Sequence, residues 1–238
     1  MIHEDIFFPS GKEELEGMLG SKEKKEEHKA FIVPHMELRR VSGLYREVFS
    51  HIPDGTPITL LLPLHREKLL RDEGCLAFSP DKDYLDTPSG RIRLSRTPFP
   101  SSSAYESEEY TAELFAVCSA YFCPSSPLRI IFSPVKKSGE VKKLVSLLKD
   151  FCDNNEAYAV SSNLTEELRG TDLKTEEREA IAILESGEML LDLINKGRFK
   201  ACGGTLIEAV SRLVPGKWKL IGTAEDEKYA AHAAFYRE

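Results

Sequence analysis

Ala30-Phe31-Ile32-Val33-Pro34-His35 decides the fold, because its design returns as Ile58-Thr59-Leu60-Leu61-Leu62-Pro63-Leu64-His65. Each is a short apolar run, halted by proline, with a histidine within two residues of that proline. A run of this length without polar alternation reads as a strand buried on both faces, as a parallel sheet requires. Between the two, Leu44, Val48, Phe49 and Ile52 share one helical face over Ser42 to Ile52, and Pro53-Asp54-Gly55 makes a turn. Strand, helix and strand form a crossover unit, and such units are right-handed.

The rest of the chain extends this pattern. Gly11 to Leu19 predicts a first helix with Ser10 as its N-cap, followed by the charged stretch Ser21 to Lys29, read as a solvated connector of mixed sign. Gly74 to Ser79 predicts a further strand, and Gly90 to Leu94 alternates as an edge or hairpin strand does. Pro98 to Ser103 is a proline- and serine-rich loop. Beyond it come a core-facing helix through Tyr121, a strand over Leu128 to Phe132, a helix over Ser138 to Phe151, and a strand over Glu156 to Ser161. Helices dominate from Thr175: Thr175 to Leu184, Gly187 to Ile194, and Gly204 to Leu213. Lys217 to Thr223 and Ala230 to Tyr236 flank the charged turn Glu225-Asp226-Glu227-Lys228 and predict a terminal hairpin. There is no internal repeat and no linker, so residues 1–238 are expected to form a single α/β domain.

Composition narrows the function classes. A formal net charge of -7 argues against a nucleic-acid surface, which needs a basic stripe. No apolar run approaches the roughly 20 residues that span a bilayer. The first residues, Met1-Ile2-His3-Glu4-Asp5, lack the basic region and apolar stretch of a secretory leader, so a cytoplasmic location is expected. Five cysteines with no CxxC pair argue against a disulfide framework and a zinc ribbon, and suit a reducing compartment. No G-x-S-x-G elbow, P-loop or G-x-G-x-x-G cradle is present, which leaves serine-hydrolase and nucleotide chemistry without a foothold.

Ligands of open α/β sheets bind where strands end, and His35 and His65 both sit there. Taken alone, each is more often a capping or hydrogen-bonding residue than a ligand. Read in order, however, five segments resemble the Memo family, whose fold is shared with class III extradiol dioxygenases. They are Val33-Pro34-His35 with Ser42-Gly43, Leu62-Pro63-Leu64-His65, Thr87-Pro88-Ser89-Gly90, Val160-Ser161-Ser162-Asn163-Leu164 and Ala201-Cys202-Gly203-Gly204. The resemblance covers most of the chain. It implies a three-layer α/β/α architecture with a mostly parallel central sheet, and a cleft in which His35, His65 and Cys202 hold a metal ion. Two imidazoles and a thiolate suit iron, copper or zinc and leave a coordination position open.

Departures from the family's pattern fall on its proton-transfer groups. The resemblance places Asn163 where the family has aspartate and Glu166 where it has histidine, and Tyr105 to Tyr110 contains no histidine where a glutamate-histidine-serine motif is expected. These changes imply a degenerate cleft acting as a binding or accessory module, either with one of these metals or with none. Its protein partner would be a radical S-adenosylmethionine component of the family's three-part system, and its oligomeric state is left open. The competing expectation is a metal-dependent, dioxygenase-like oxidoreductase that uses His35 and His65 with Cys202 or Glu166. Glu166 otherwise reads as a solvated helix start, His232 as structural, and Trp218 as a hairpin packing residue.

Overall fold

A computed structural model describes residues 5–64, 75–101, 110–152, 155–165, 173–224 and 230–238. The crossover unit forms as the sequence requires. β1 (Ala30–Val33) and β2 (Ile58–Pro63) are buried at every position, and α2 (Leu38–Ser50) joins them. α2 starts four residues earlier than the spacing predicts. Leu38 and Val41 continue its buried face, and the Leu38 N–H is met by the Phe7 carbonyl at 2.7 Å, a contact 31 residues distant in the chain.

The sheet has six strands in the order β5-β2-β6-β1-β8-β7, with β5 (Leu128–Ser133), β6 (Ala157–Ser161), β7 (Trp218–Ala224) and β8 (His232–Arg237). β5, β2, β6 and β1 are mutually parallel, and β8 and β7 join them as an antiparallel hairpin. Side chains of the parallel strands alternate between two cores. Phe31, Val33, Leu60, Leu62, Ile130 and Phe132 face one, and Ile32, Leu61, Ile131 and Val160 face the other.

α2 and α3 (Tyr110–Phe122) cover the first face with α1 (Lys12–Leu19). α4 (Ser138–Phe151), α5 (Leu173–Ser186), α6 (Leu190–Asn195) and α7 (Gly204–Leu213) cover the second. The result is a mixed α/β molecule in three layers. Burying both faces of the sheet is what makes continuous apolar runs the right strands for it.

Several details depart from the expectations. α1 is capped by Gly11 rather than Ser10. Phe78 and Ser79 make isolated bridges, not a strand, while Gly74 lies outside the described residues, as does the 225–228 turn. The 90–94 segment is one arm of a hairpin, β4 (Gly90–Arg93), whose partner β3 (Tyr84–Thr87) the sequence reading omitted.

The lysine-rich connector is not simply solvated. The Lys22 ammonium donates to the Ile52 carbonyl and the Cys123 sulfur, both at 3.1 Å, and the Lys25 and His28 N–H groups donate to the Ser50 and His51 carbonyls. Those carbonyls close α2, where the helix dipole favours a cation. Among the described residues no helix is long and apolar enough to cross a membrane.

Candidate functional site

β1 and β6 are paired in register with Val33 opposite Ser161, so the chain leaves both strands at the same level. From β1 it passes through Pro34 to His35, and from β6 through Ser162 to Asn163. The Pro34 carbonyl accepts the Tyr45 hydroxyl at 3.0 Å. Burial, helped by the neighbouring Cys118, pushes that phenol well above its ordinary range, so it stays protonated and a donor.

Asn163 clamps the main chain of His35. The His35 N–H donates to Asn163 Oδ1 at 3.2 Å, and Asn163 Nδ2 donates to the His35 carbonyl at 3.4 Å. The Tyr110 hydroxyl reaches the same carbonyl at 3.4 Å. Because backbone groups fix which end of the amide is oxygen, a third contact is resolved as well. His232 Nδ1, 2.8 Å from Oδ1, must carry the proton and donate it.

The loop after α6 brings in the thiol. The Cys202 N–H donates to the Asn163 carbonyl at 3.3 Å, and the Asn163 N–H donates to Cys202 Sγ at 3.3 Å. Ser162 locks the same junction: its hydroxyl donates to the Asn163 carbonyl and accepts the Gly203 N–H, both at 2.9 Å. Gly203 is required for so close an approach. A Cβ there would stand 2.8 Å from Ser162 Cβ and 2.9 Å from the Ser161 carbonyl oxygen.

The outcome is a pair of soft donors. Cys202 Sγ lies 3.7 Å from His35 Nε2, while His35 Nδ1 lies 2.9 Å from the Ser161 hydroxyl. His35 is 6% exposed and Ser161 1%, whereas Cys202 is half-buried, so the cleft opens on the sulfur side. Zinc-sulfur and zinc-nitrogen bonds of about 2.3 and 2.0 Å at a tetrahedral angle put the two ligand atoms about 3.5 Å apart. The observed 3.7 Å separation therefore fits a shared cation, and the Ser161 hydroxyl and Asn163 N–H stand where outer partners of such ligands stand.

Of the residues the sequence singled out, His35, Asn163 and Cys202 come together. His65 and Glu166 lie outside the described residues. Among the described residues no group of three or more His, Cys, Asp or Glu side chains is placed to hold a metal ion, so His35 and Cys202 stand there as a pair. His232, expected to be structural, braces Asn163. Ser161 and Tyr110 were not singled out as site residues; the register that sets Ser161 beside the end of β1 is a property of the folded sheet. A cavity of about 510 Å³ lined by Leu164, Thr165, Glu176, Ala180 and Lys200 borders the same loops, and neither His35 nor Cys202 lines it.

No family model matches the sequence, and neither does any curated protein. Among solved structures, an uncharacterized protein of Escherichia coli K12 aligns with 88% of this chain and 99% of its own, at 11% identity and a TM-score of 0.48. A likeness so remote carries no statement about function.

Proposed function

We propose that the protein is a Memo-like binding or accessory module, with the extradiol-dioxygenase type of three-layer fold, whose strand-end cleft binds a thiophilic metal ion through His35 and Cys202. The observation that carries this reading is the 3.7 Å approach of His35 Nε2 to Cys202 Sγ, at the spacing of two ligands on one tetrahedral centre. His65 is assigned as the third ligand from its sequence position after β2, a strand that borders β6 on the side opposite β1. Iron, copper or zinc all suit imidazole and thiolate, and each would supply Lewis acidity to whatever fills the remaining position. A cytoplasmic location and a radical S-adenosylmethionine partner belong to the same proposal.

The choice of module over enzyme rests on Asn163. Its amide oxygen accepts from the His35 N–H and from His232, and its nitrogen donates to the His35 carbonyl. An amide so committed fixes the main chain of His35 but moves no proton, whereas general acid-base catalysis requires a group that does. The second reading is an oxidoreductase in which Glu166 supplies a carboxylate beside the histidines, and it rests on sequence position alone.

The test is metal analysis of protein purified without a histidine tag. About one equivalent of iron, copper or zinc per chain is expected, with loss of at least nine-tenths of it in a His35→Ala, Cys202→Ala double variant. Wild-type protein that stays metal-free after supplementation refutes the reading. Dioxygen uptake with a catechol by the loaded protein, abolished by Glu166→Gln, would establish the oxidoreductase instead.

A further inference from the structure

We infer that the outer edge of β5 carries a second binding site, which takes a short peptide main chain in extended conformation and pairs it with Ile130 as one residue of an added strand. Neither His35 nor Cys202 lines it, and it does not rest on the metal reading.

β5 ends the sheet, so only one of its edges meets another strand of it. The Ile58 N–H donates to the Pro127 carbonyl, which fixes the alternation: residues 127, 129, 131 and 133 turn their main-chain groups to β2, and Leu128, Ile130 and Phe132 turn theirs outward. Leu128 and Phe132 find partners there. The Leu128 carbonyl accepts the Ser95 N–H at 2.8 Å, and Phe132 exchanges both bonds with Phe78, at 2.8 and 2.9 Å. Ile130, between them and only 2% exposed, makes neither bond among the described residues.

Both flanking segments leave the edge where Ile130 would need them. Continued from its antiparallel bridge at Phe78, the chain would set Pro80 opposite Ile130, and proline has no N–H for the Ile130 carbonyl. Continued from its parallel bridge at Leu94, it would set Arg96 there, but Arg96 turns to the Asp83 carboxylate at 3.4 Å. Where the two segments diverge lies a cavity of about 330 Å³, lined by Ile130, Ser79, Pro80, Ser95 and Arg96. Ser79 is 6% exposed, and its hydroxyl makes no hydrogen bond among the described residues.

Buried main-chain donors and acceptors are nearly always paired, so an N–H, a C=O and a hydroxyl left over around one cavity mark a place for a ligand that supplies the bonds. The N–H and C=O of one residue exchange bonds with one residue of an antiparallel neighbour, as those of Phe132 do with Phe78, and a lone carboxylate or amide is too short to meet both in line. An extended peptide residue has the required spacing, and backbone pairing at an open sheet edge is a recurring way of holding one. The volume stands at the low end of ligand pockets and limits the occupant to a few residues. Asp81, Asp83 and Arg96 line the same cavity, so both charged ends of a free peptide have counterparts there.

Trialanine is the probe, titrated into the protein at millimolar concentration and followed by amide nitrogen-proton spectra, with Ile130→Val assigning the Ile130 signal. The Ile130 amide proton is expected to move downfield and to exchange more slowly with solvent, while the Arg129 and Ile131 amides, which face β2, change little. Trialanine N-methylated at its central residue has no proton for the Ile130 carbonyl and should bind about tenfold more weakly or worse. Ser79→Ala should weaken trialanine about fivefold, the worth of one neutral hydrogen bond, and if that variant fails to fold the two peptides still decide on the wild type. An Ile130 amide indifferent to trialanine overturns the inference and leaves water as the occupant, and equal binding of the N-methylated peptide overturns it too. Trialanine blocked at both ends separates two sources of such a chain: weaker binding points to a free peptide, and equal binding to an extended segment of a longer protein.

Discussion

Gly203→Ala tests the geometry of the cleft most sharply, because the cost is steric and its source is known atom by atom. The backbone at Gly203 has φ -91° and ψ 14°, a conformation any residue adopts, so no torsional penalty enters. The added methyl would stand 2.8 Å from Ser162 Cβ, 2.9 Å from the Ser161 carbonyl oxygen and 3.0 Å from Ser162 Oγ, where carbon pairs rest at about 3.5–4.0 Å. The strand end of β6 is fixed by its neighbours on both sides, so the loop bearing Cys202 must retreat. Overpacking of this kind costs about 1–3 kcal/mol, and the Gly203 N–H bond to Ser162 lost in the retreat contributes about 1 kcal/mol more. A destabilisation of about 2–4 kcal/mol is therefore expected by urea unfolding, read as a lower midpoint at unchanged slope. Gly43→Ala is the control. Its Cβ would meet only Arg46 Nη2 at 4.0 Å, in the body of α2, so the change should stabilise by about 0.5–1 kcal/mol. A Gly203→Ala protein within about 0.5 kcal/mol of wild type, the scatter of ordinary surface changes, would show that Cys202 is not pressed against the end of β6 as described.

Two other predictions concern regions away from the cleft. Glu156, 1% exposed, pairs with Arg129 and accepts the Thr59 hydroxyl at the opposite end of the parallel strands, so Glu156→Ala should cost about 3 kcal/mol by leaving a largely buried guanidinium uncompensated. The double variant Arg129→Met, Glu156→Leu should recover most of that in the same unfolding assay, and failure to recover would mean that the pair is not an isolated charge problem. Burial, with the charge of His51 behind it, holds the His28 imidazole below its ordinary value, while in the unfolded chain the ring titrates near 6.5. Folded His28 thus resists protonation: its contribution is intact above about pH 6.5 and is lost as pH falls through the lower, folded value. Wild type should lose more stability than His28→Gln between pH 7.5 and pH 5, and an equal or smaller loss would contradict the placement of this ring against His51 and Tyr236.

The sheet was legible where burial alone writes the sequence. Ile58 to Pro63 has no polar alternation to misread, and Val141, Leu144, Val145 and Leu148 mark α4 at its observed limits. Legibility fails where a distant contact defines the element. α2 begins at Leu38 because Phe7 receives its N–H, and Lys22 leaves solvent because the carbonyl end of α2 and Cys123 are there to meet it. β3 escapes notice because only a hairpin partner makes a strand of Tyr84–Thr87, which is exposed or half-buried throughout. In the cleft, position after a strand was enough to find His35 and motif order enough to pair it with Cys202. The bond from Ser161 to His35 spans 126 residues of sequence, and no local pattern announces it.

The insertion of β6 between β1 and β2 has a consequence for how the molecule is made. Strands two places apart are separated by about 9.6 Å, so β1 and β2 do not touch in the finished sheet and are bridged only when Ala157–Ser161 enters between them. During synthesis those two apolar strands emerge well before their common neighbour, with open edges, in a chain whose parallel strand pairings are all long in range. Cys202 follows later still. A ribosome that stalls before residue 157 thus holds two sticky edges and no cleft, and chaperone demand for this protein should peak over that interval.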